Sequence, residues 1–137
     1  MLKPLANERL LGTSELSVGP ISYGHWRLSE GNAAEAAAKT RAALDAGMTM
    51  IDTASVYGYP DFGKAEELLG DVIKADPGIR NEMVLATKAG IYPPTPYDCR
   101  PDTIVQTCED SLRRLNTDVI DLFYIHRPDM LTPHADV

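Results

Sequence analysis

Residues 48–58 read MTMIDTASVYG, a short apolar run followed directly by an aspartate and a polar segment that carries Tyr57. Short apolar runs bounded by turn-forming residues are typical of strands that are buried on both faces of a parallel sheet. We therefore expect a strand over 48–51 that ends at Asp52. Tyr57 is expected in the loop that leaves the end of this strand.

Three further apolar runs predict three further strands. Residues 83–86 lead into Lys88, and residues 119–125 form a nearly continuous apolar run that leads into His126. An earlier run, over 20–24, ends at a glycine. Each run has the length and apolar character of a buried strand.

Helical patterns separate the four runs. Asn32 is a good N-cap with Glu35 three positions later, and Gly47 stands where a glycine commonly ends a helix. A second amphipathic pattern begins at about Gly63, and Asp102 is expected to cap a third helix. Strands that alternate with helices predict right-handed crossovers and a parallel sheet covered by helices.

Two short apolar pieces precede these elements. They cover 8–11 and 16–18 and are separated by Gly12-Thr13-Ser14, which favours a turn. The chain is therefore expected to begin with a small β-hairpin, followed by the order β-α-β-α-β-α-β.

The polar residues that end the predicted strands should meet at one rim of the sheet. Asp52, Lys88 and His126 each end a successive strand, and Tyr57 lies in the loop that leaves the same end. The carboxyl ends of parallel strands share one edge, and barrel enzymes place their active sites there. A carboxylate, an ammonium, a phenol and an imidazole are thus expected to lie together.

Such a group of side chains is suited to reducing a carbonyl. A phenol has a reference pKa of about 10 and is a poor proton donor at neutral pH, but a nearby ammonium favours the phenolate and lowers that pKa. A carboxylate can hold the ammonium in place, and an imidazole can donate a hydrogen bond to a carbonyl oxygen. The set can deliver a proton to an oxygen while another group delivers a hydride.

A hydride donor has to come from a cofactor, because no side chain supplies one. No G-x-G-x-x-G motif follows the first predicted strand; residues 19–24 read GPISYG, which has the wrong spacing. The sequence therefore does not support a Rossmann-type dinucleotide site, and a nicotinamide would have to lie on the barrel rim.

Composition narrows the class of protein. Thirteen basic and twenty acidic residues give a net charge of −7, which argues against a general nucleic-acid surface. No apolar stretch has the length of a signal peptide or a membrane span, so a cytoplasmic protein is expected. Cys99 and Cys108 lack the spacing and the companions of a metal site and are expected to be reduced thiols.

Over its whole length the chain resembles the aldo-keto reductase superfamily. The motifs that carry the resemblance are DTASVYG at 52–58, Thr87-Lys88 and IHRPD at 125–129, together with the hairpin and YGHW at 23–26. HRPD at 126–129, together with KAGI at 88–91, is most similar to a bacterial branch of uncharacterised oxidoreductases. The resemblance implies a (β/α)₈ TIM barrel, with residues 1–19 as the hairpin and 20–137 as the first half of the barrel. It also implies NADPH-dependent reduction of small aldehydes or ketones.

The resemblance also assigns roles. It implies that Tyr57 is the general acid, that Lys88 lowers the pKa of that phenol, that Asp52 anchors the lysine and that His126 orients the substrate carbonyl. It further implies that four residues lie close to the nicotinamide and the mouth of the substrate site: Gly24, His25, Trp26 and Asp52.

A complete barrel of this class needs about 250 residues, whereas this chain has 137. We therefore expect a partial domain of an NADPH-dependent carbonyl reductase. The alternative is a half-barrel without catalysis, either inert or serving as a binding subunit, since a fold does not determine a function.

Overall fold

The computed structural model describes residues 7–28 and 31–137, so residues 1–6 of the predicted hairpin segment lie outside the described residues. β1 (Arg9–Leu10) and β2 (Ser17–Val18) pair in antiparallel fashion. Gly12 has a positive φ of +58° in the connecting turn. The predicted hairpin is confirmed.

The main sheet has four parallel strands in chain order, and each helix connects two neighbouring strands. The strands are β3 (Tyr23–Gly24), β4 (Met50–Asp52), β5 (Val84–Ala89) and β6 (Leu122–Ile125). The helices are α1 (Ala33–Asp45), α2 (Lys64–Ala75) and α3 (Pro101–Leu115). This is the predicted partial α/β barrel.

The predicted N-caps of α1 and α3 can be compared with the structure. Asn32 caps α1, because its Oδ1 accepts the backbone N–H of Glu35 at 3.0 Å. The predicted cap of α3 at Asp102 is wrong, because the helix already begins at Pro101 with Arg100 at the N-cap position. Proline suits the first helical position, because a backbone N–H at that position has no hydrogen-bond partner within the helix.

The strand limits also differ from the apolar runs. β5 extends through Lys88 to Ala89, because both residues pair with β6. β6 begins only at Leu122, because the Asp121 carboxylate accepts the backbone N–H of Leu85 at 2.7 Å, in the place of a strand carbonyl. Asp121 is held there by an ion pair of 2.8 Å with Arg80.

The core lies between the sheet and the three helices. Its buried apolar residues include Ile51 and Leu85 of the sheet and Leu69 and Leu115 of the helices. One buried carboxylate, Glu66 of α2, joins the layers. It accepts the hydroxyl of Thr87 at 2.6 Å and lies 2.7 Å from the Arg114 guanidinium of α3. Both oxygens of a buried charge therefore have partners, as stability requires.

Within 7–28 and 31–137, no helix combines the length and the apolar character needed to cross a membrane.

Candidate active site

The register of the sheet brings the predicted site residues to one face and one rim. Asp52 lies opposite Gly24 on one side and Ala86 on the other, and Lys88 lies opposite Tyr124. Side chains two residues apart on a strand share a face. Lys88, two residues after Ala86, therefore projects from the same face as Asp52, and His126 follows Tyr124 in the same way.

Lys88 is the centre of the site. Its side chain is only 9% exposed, and its Nζ donates to Asp52 Oδ2 at 2.6 Å and to the Thr53 carbonyl at 2.6 Å. The Asp52 carboxylate and the Thr53 carbonyl hold the ammonium in one position. The third neighbour of the ammonium is the phenol of Tyr57, whose hydroxyl lies 3.4 Å from Nζ.

The backbone around Tyr57 holds this phenol in place. The Tyr57 N–H donates to the Ala54 carbonyl at 3.1 Å, and its carbonyl accepts the N–H of Gly63, the N-cap of α2, at 3.1 Å. Gly58 has a φ of +116°, and a Cβ there would lie 2.6 Å from the Cβ of Lys64. Only glycine can make the turn that directs Tyr57 back over the rim.

The rings of His126 and Tyr57 contact each other in a T-shaped arrangement. The two ring centroids are 5.5 Å apart and the rings are nearly perpendicular. Burial, together with the positive charges of Lys88 and Arg127, lowers the pKa of His126. The imidazole is therefore neutral at physiological pH and carries a single N–H donor. Its buried Nδ1 has no hydrogen-bond partner among the described residues.

The predicted cofactor residues divide into two groups. Gly24 lies opposite Asp52, and Trp26 shares a cleft with Tyr57 and His126. Space is open where a Cβ of Gly24 would stand, and Trp26 is 65% exposed. The ring of His25 is instead fully buried, 3.4 Å from the Thr40 hydroxyl of α1. Burial lowers the pKa of His25 to about 4, against a weaker opposing effect of Asp52.

A cleft of about 390 Å³ opens beside Tyr57 and His126. Its walls include the Tyr57 and His126 rings, so both groups reach the same space from adjacent sides. The remaining lining residues are Trp26, Val56, Ile91 and Arg127. A small molecule in this cleft meets a phenol and an imidazole together.

Tyr124 is a member of the site that the sequence analysis missed. Its hydroxyl donates a hydrogen bond to Asp52 Oδ1, and the Lys88 ammonium lies 5.2 Å from its ring centroid. The signal was present in the strand pattern, because a residue two positions before His126 must share its face of the sheet. It was overlooked because Tyr124 stands within an apolar run.

Comparisons with known proteins show which family this chain resembles. The model of the aldo/keto reductase family matches residues 20–137. The chain is 52% identical over 134 residues to a 6-dehydroglucose reductase of Novosphingobium aromaticivorans, covering 94% of this chain and 44% of that protein. It is 36% identical to a 6-dehydroglucose reductase of Agrobacterium fabrum, covering 90% of this chain and 45% of that protein.

Solved structures agree as well. A Pseudomonas aeruginosa protein described as an aldo-keto reductase superposes with a TM-score of 0.78 at 31% identity, covering 90% of this chain and 48% of that one. The chain thus spans slightly less than half the length of the relatives it resembles.

Proposed function

The chain belongs to the aldo/keto reductase family, and from this premise we propose that the complete protein is an NADPH-dependent reductase that converts aldehydes or ketones to alcohols. The observation that carries the proposal is the environment of Lys88. Its ammonium is held by Asp52 and lies 3.4 Å from the hydroxyl of Tyr57, at the wall of a cleft. A phenol so placed is suited to protonating an oxygen.

The residues around the cleft fit a nicotinamide. The open space at Gly24, directly beside Asp52 in the sheet, leaves room for a flat ring, and the exposed Trp26 offers an aromatic wall. Gly24, Trp26 and Asp52 would hold the nicotinamide end of NADPH, which supplies a hydride when bound. His25 stays a prediction as a cofactor contact; its buried ring supports a role in shaping the end of β3.

The chain's own residues supply the proton and the polarisation. The substrate carbonyl oxygen would lie between the Tyr57 hydroxyl and the neutral His126 ring, which donates a hydrogen bond to it. As the carbon accepts a hydride, Tyr57 transfers its proton to the oxygen and the alcohol forms. The phenolate left on Tyr57 is stabilised by the Lys88 ammonium, and Asp52 keeps that ammonium in place.

We propose a sugar-derived aldehyde as the substrate class. Two relatives are named for the reduction of 6-dehydroglucose, and one of them is 52% identical over nearly the whole of this chain. The cleft offers both an apolar wall at Trp26 and a charged group at Arg127, which suits a molecule with a carbon frame and many hydroxyl groups.

The test is cofactor oxidation by the complete protein with a panel of carbonyl compounds. The panel contains a sugar-derived aldehyde, a simple aliphatic aldehyde and a simple ketone, each with NADPH and with NADH. We expect NADPH oxidation with one alcohol formed for each cofactor consumed, fastest with the sugar-derived aldehyde. NADPH binding without turnover of any carbonyl compound would contradict the proposal and favour a noncatalytic binding subunit.

A further inference from the structure

We propose that Tyr124 is a positioning residue of this site, whose hydroxyl holds the Asp52 carboxylate so that its second oxygen stays on Lys88. The inference rests on the proposed reductase function for its effect on turnover, but the contact itself involves only residues of this chain. Tyr124 lies on β6, directly opposite Lys88 of β5. Its hydroxyl reaches across β5 to Asp52 of β4.

The two oxygens of Asp52 have separate partners. Oδ2 accepts from the Lys88 ammonium at 2.6 Å, and Oδ1 accepts from the Tyr124 hydroxyl. A carboxylate that accepts at both oxygens cannot rotate without breaking a bond. The hydrogen bond also draws part of the negative charge toward Oδ1, which leaves more of the positive charge of Lys88 unbalanced on the side of Tyr57.

The same contact separates the roles of two phenols that flank one ammonium. The Lys88 Nζ lies 5.0 Å from the Tyr57 ring centroid and 5.2 Å from that of Tyr124. The Tyr124 hydroxyl is occupied by Asp52, whereas Tyr57 lines the cleft. Burial and the bond to Asp52 raise the pKa of Tyr124 well above its usual range. Tyr124 therefore keeps its proton, and Tyr57 is left to transfer one.

No other charged or titratable group described around Tyr57 replaces the hydrogen bond from Tyr124 to Asp52. Lys88 approaches from β5 and Asp52 from β4, while His126 and Arg127 follow β6. His25, at the end of β3, is neutral because burial lowers its pKa to about 4. Among the described residues, Tyr124 is the one side-chain donor besides Lys88 whose hydrogen bond to Asp52 is observed.

The first test is Tyr124→Phe in the complete enzyme. Without the hydroxyl, the charge of Asp52 falls more fully on Lys88, so Tyr57 becomes a weaker acid. We expect kcat for carbonyl reduction to fall about tenfold, the usual effect of losing one hydrogen bond to a charged group. The KM of the carbonyl substrate should stay within about twofold, and the alkaline limb of the kcat–pH profile should move upward by as much as about one pH unit.

Tyr97→Phe, which removes a hydroxyl from a tyrosine on the loop before α3, is the matched control and should leave the profile unchanged. A Tyr124→Phe profile that coincides with that of the wild type would overturn the proposal. So would a variant that is less stable in thermal unfolding but keeps its alkaline limb in place, because that pattern indicates a structural role only.

A second measurement does not depend on whether the Tyr124→Phe variant folds or on whether the protein has reductase activity. The tyrosines of the complete wild-type protein are labelled at Cζ and titrated by NMR without cofactor, and the signals of the six in residues 1–137 are followed. Signals are assigned with single Tyr→Phe variants or, where one fails to fold, by elimination. We expect Tyr124 to titrate well above the usual range of a tyrosine hydroxyl. Titration of Tyr124 within that usual range would overturn the proposal, whereas absence of reductase activity alone would count against the proposed function and leave this result standing.

Discussion

At the scale of single residues, His25 makes the folded chain sensitive to acid. Its imidazole is fully buried, close to Thr40 and edge-on to Tyr23, and burial lowers its pKa from 6.5 to about 4. Between these values the unfolded chain binds a proton that the folded chain does not. Stability therefore rises with pH through this window and is lost as the pH falls from about 6.5 toward 4.

We expect this effect to amount to about 3 kcal/mol of unfolding free energy between pH 7 and pH 4. His25→Gln keeps a polar side chain near Thr40 but cannot be protonated, so the difference in stability between wild type and variant should shrink by that amount on acidification. Denaturant unfolding at a series of pH values measures it. His134→Gln, at an exposed site, is the control. A wild-type-minus-variant difference that is constant with pH would refute the role of His25.

At the scale of secondary-structure elements, the close contact between α2 and α3 depends on Gly70. A Cβ at Gly70 would lie 1.9 Å from the Arg114 carbonyl oxygen, which is backbone and cannot move aside without shifting α3. Alanine is favoured over glycine within helices by about 1 kcal/mol, but overpacking costs about 1–3 kcal/mol. The steric cost is expected to dominate.

Gly70→Ala should therefore lower the unfolding free energy by about 1–2 kcal/mol, despite the better helix propensity of alanine. Gly78→Ala is the matched control, because its Cβ would meet only the end of the Asp76 side chain at 3.3 Å. Urea unfolding of the two variants decides the question. If Gly70→Ala were as stable as the wild type, α2 and α3 would have to lie further apart than the structure has them.

Local signals in the sequence were sufficient for most elements. Asn32 and Gly47 bound α1 through short-range hydrogen bonds and backbone conformation, which a sequence shows directly. The alternation of strands and helices also sufficed to predict that Asp52 and Lys88 lie at one rim, because the carboxyl ends of parallel strands lie at the same edge of the sheet.

Contacts between residues far apart in the sequence could not be predicted from such local signals. β6 begins only after Asp121, because the Asp121 carboxylate accepts the backbone N–H of Leu85, 36 positions away. Tyr124 forms a hydrogen bond with Asp52, which lies 72 positions earlier in the sequence. His25 is buried next to Thr40 of α1, a helix that follows it in the sequence. Such pairings depend on the register of the assembled sheet, which no local pattern specifies.

At the scale of the whole molecule, the four-stranded sheet has two outer strands, β3 and β6. Unpaired strand edges favour association with other chains. Apolar side chains near β6 are widely exposed, with Val119 at 58%, Met130 at 88% and Leu131 at 92%. A closed barrel would pair both edges.

We therefore expect the 137-residue chain, prepared alone, to self-associate in sedimentation velocity experiments, and to show no micromolar binding in an NADPH titration. The relatives extend to about twice its length, so under the proposed function we expect further cofactor contacts from the part of the protein that this chain does not cover. A stable monomer that binds NADPH at micromolar concentration would contradict this expectation and assign more of the cofactor site to residues 20–137.

The measurement that tests the assigned chemistry most directly is single-turnover carbonyl reduction by the complete protein carrying Tyr57→Phe. The phenyl ring preserves the edge contact with His126 but removes the proton donor beside Lys88. Loss of a general acid costs about 10²–10⁴ in rate, so we predict a fall of at least about a hundredfold with NADPH binding unchanged. Tyr59→Phe, two residues along the same loop and 84% exposed, should react like the wild type. A Tyr57→Phe variant that retains near-wild-type turnover would contradict the assignment of Tyr57 as the acid.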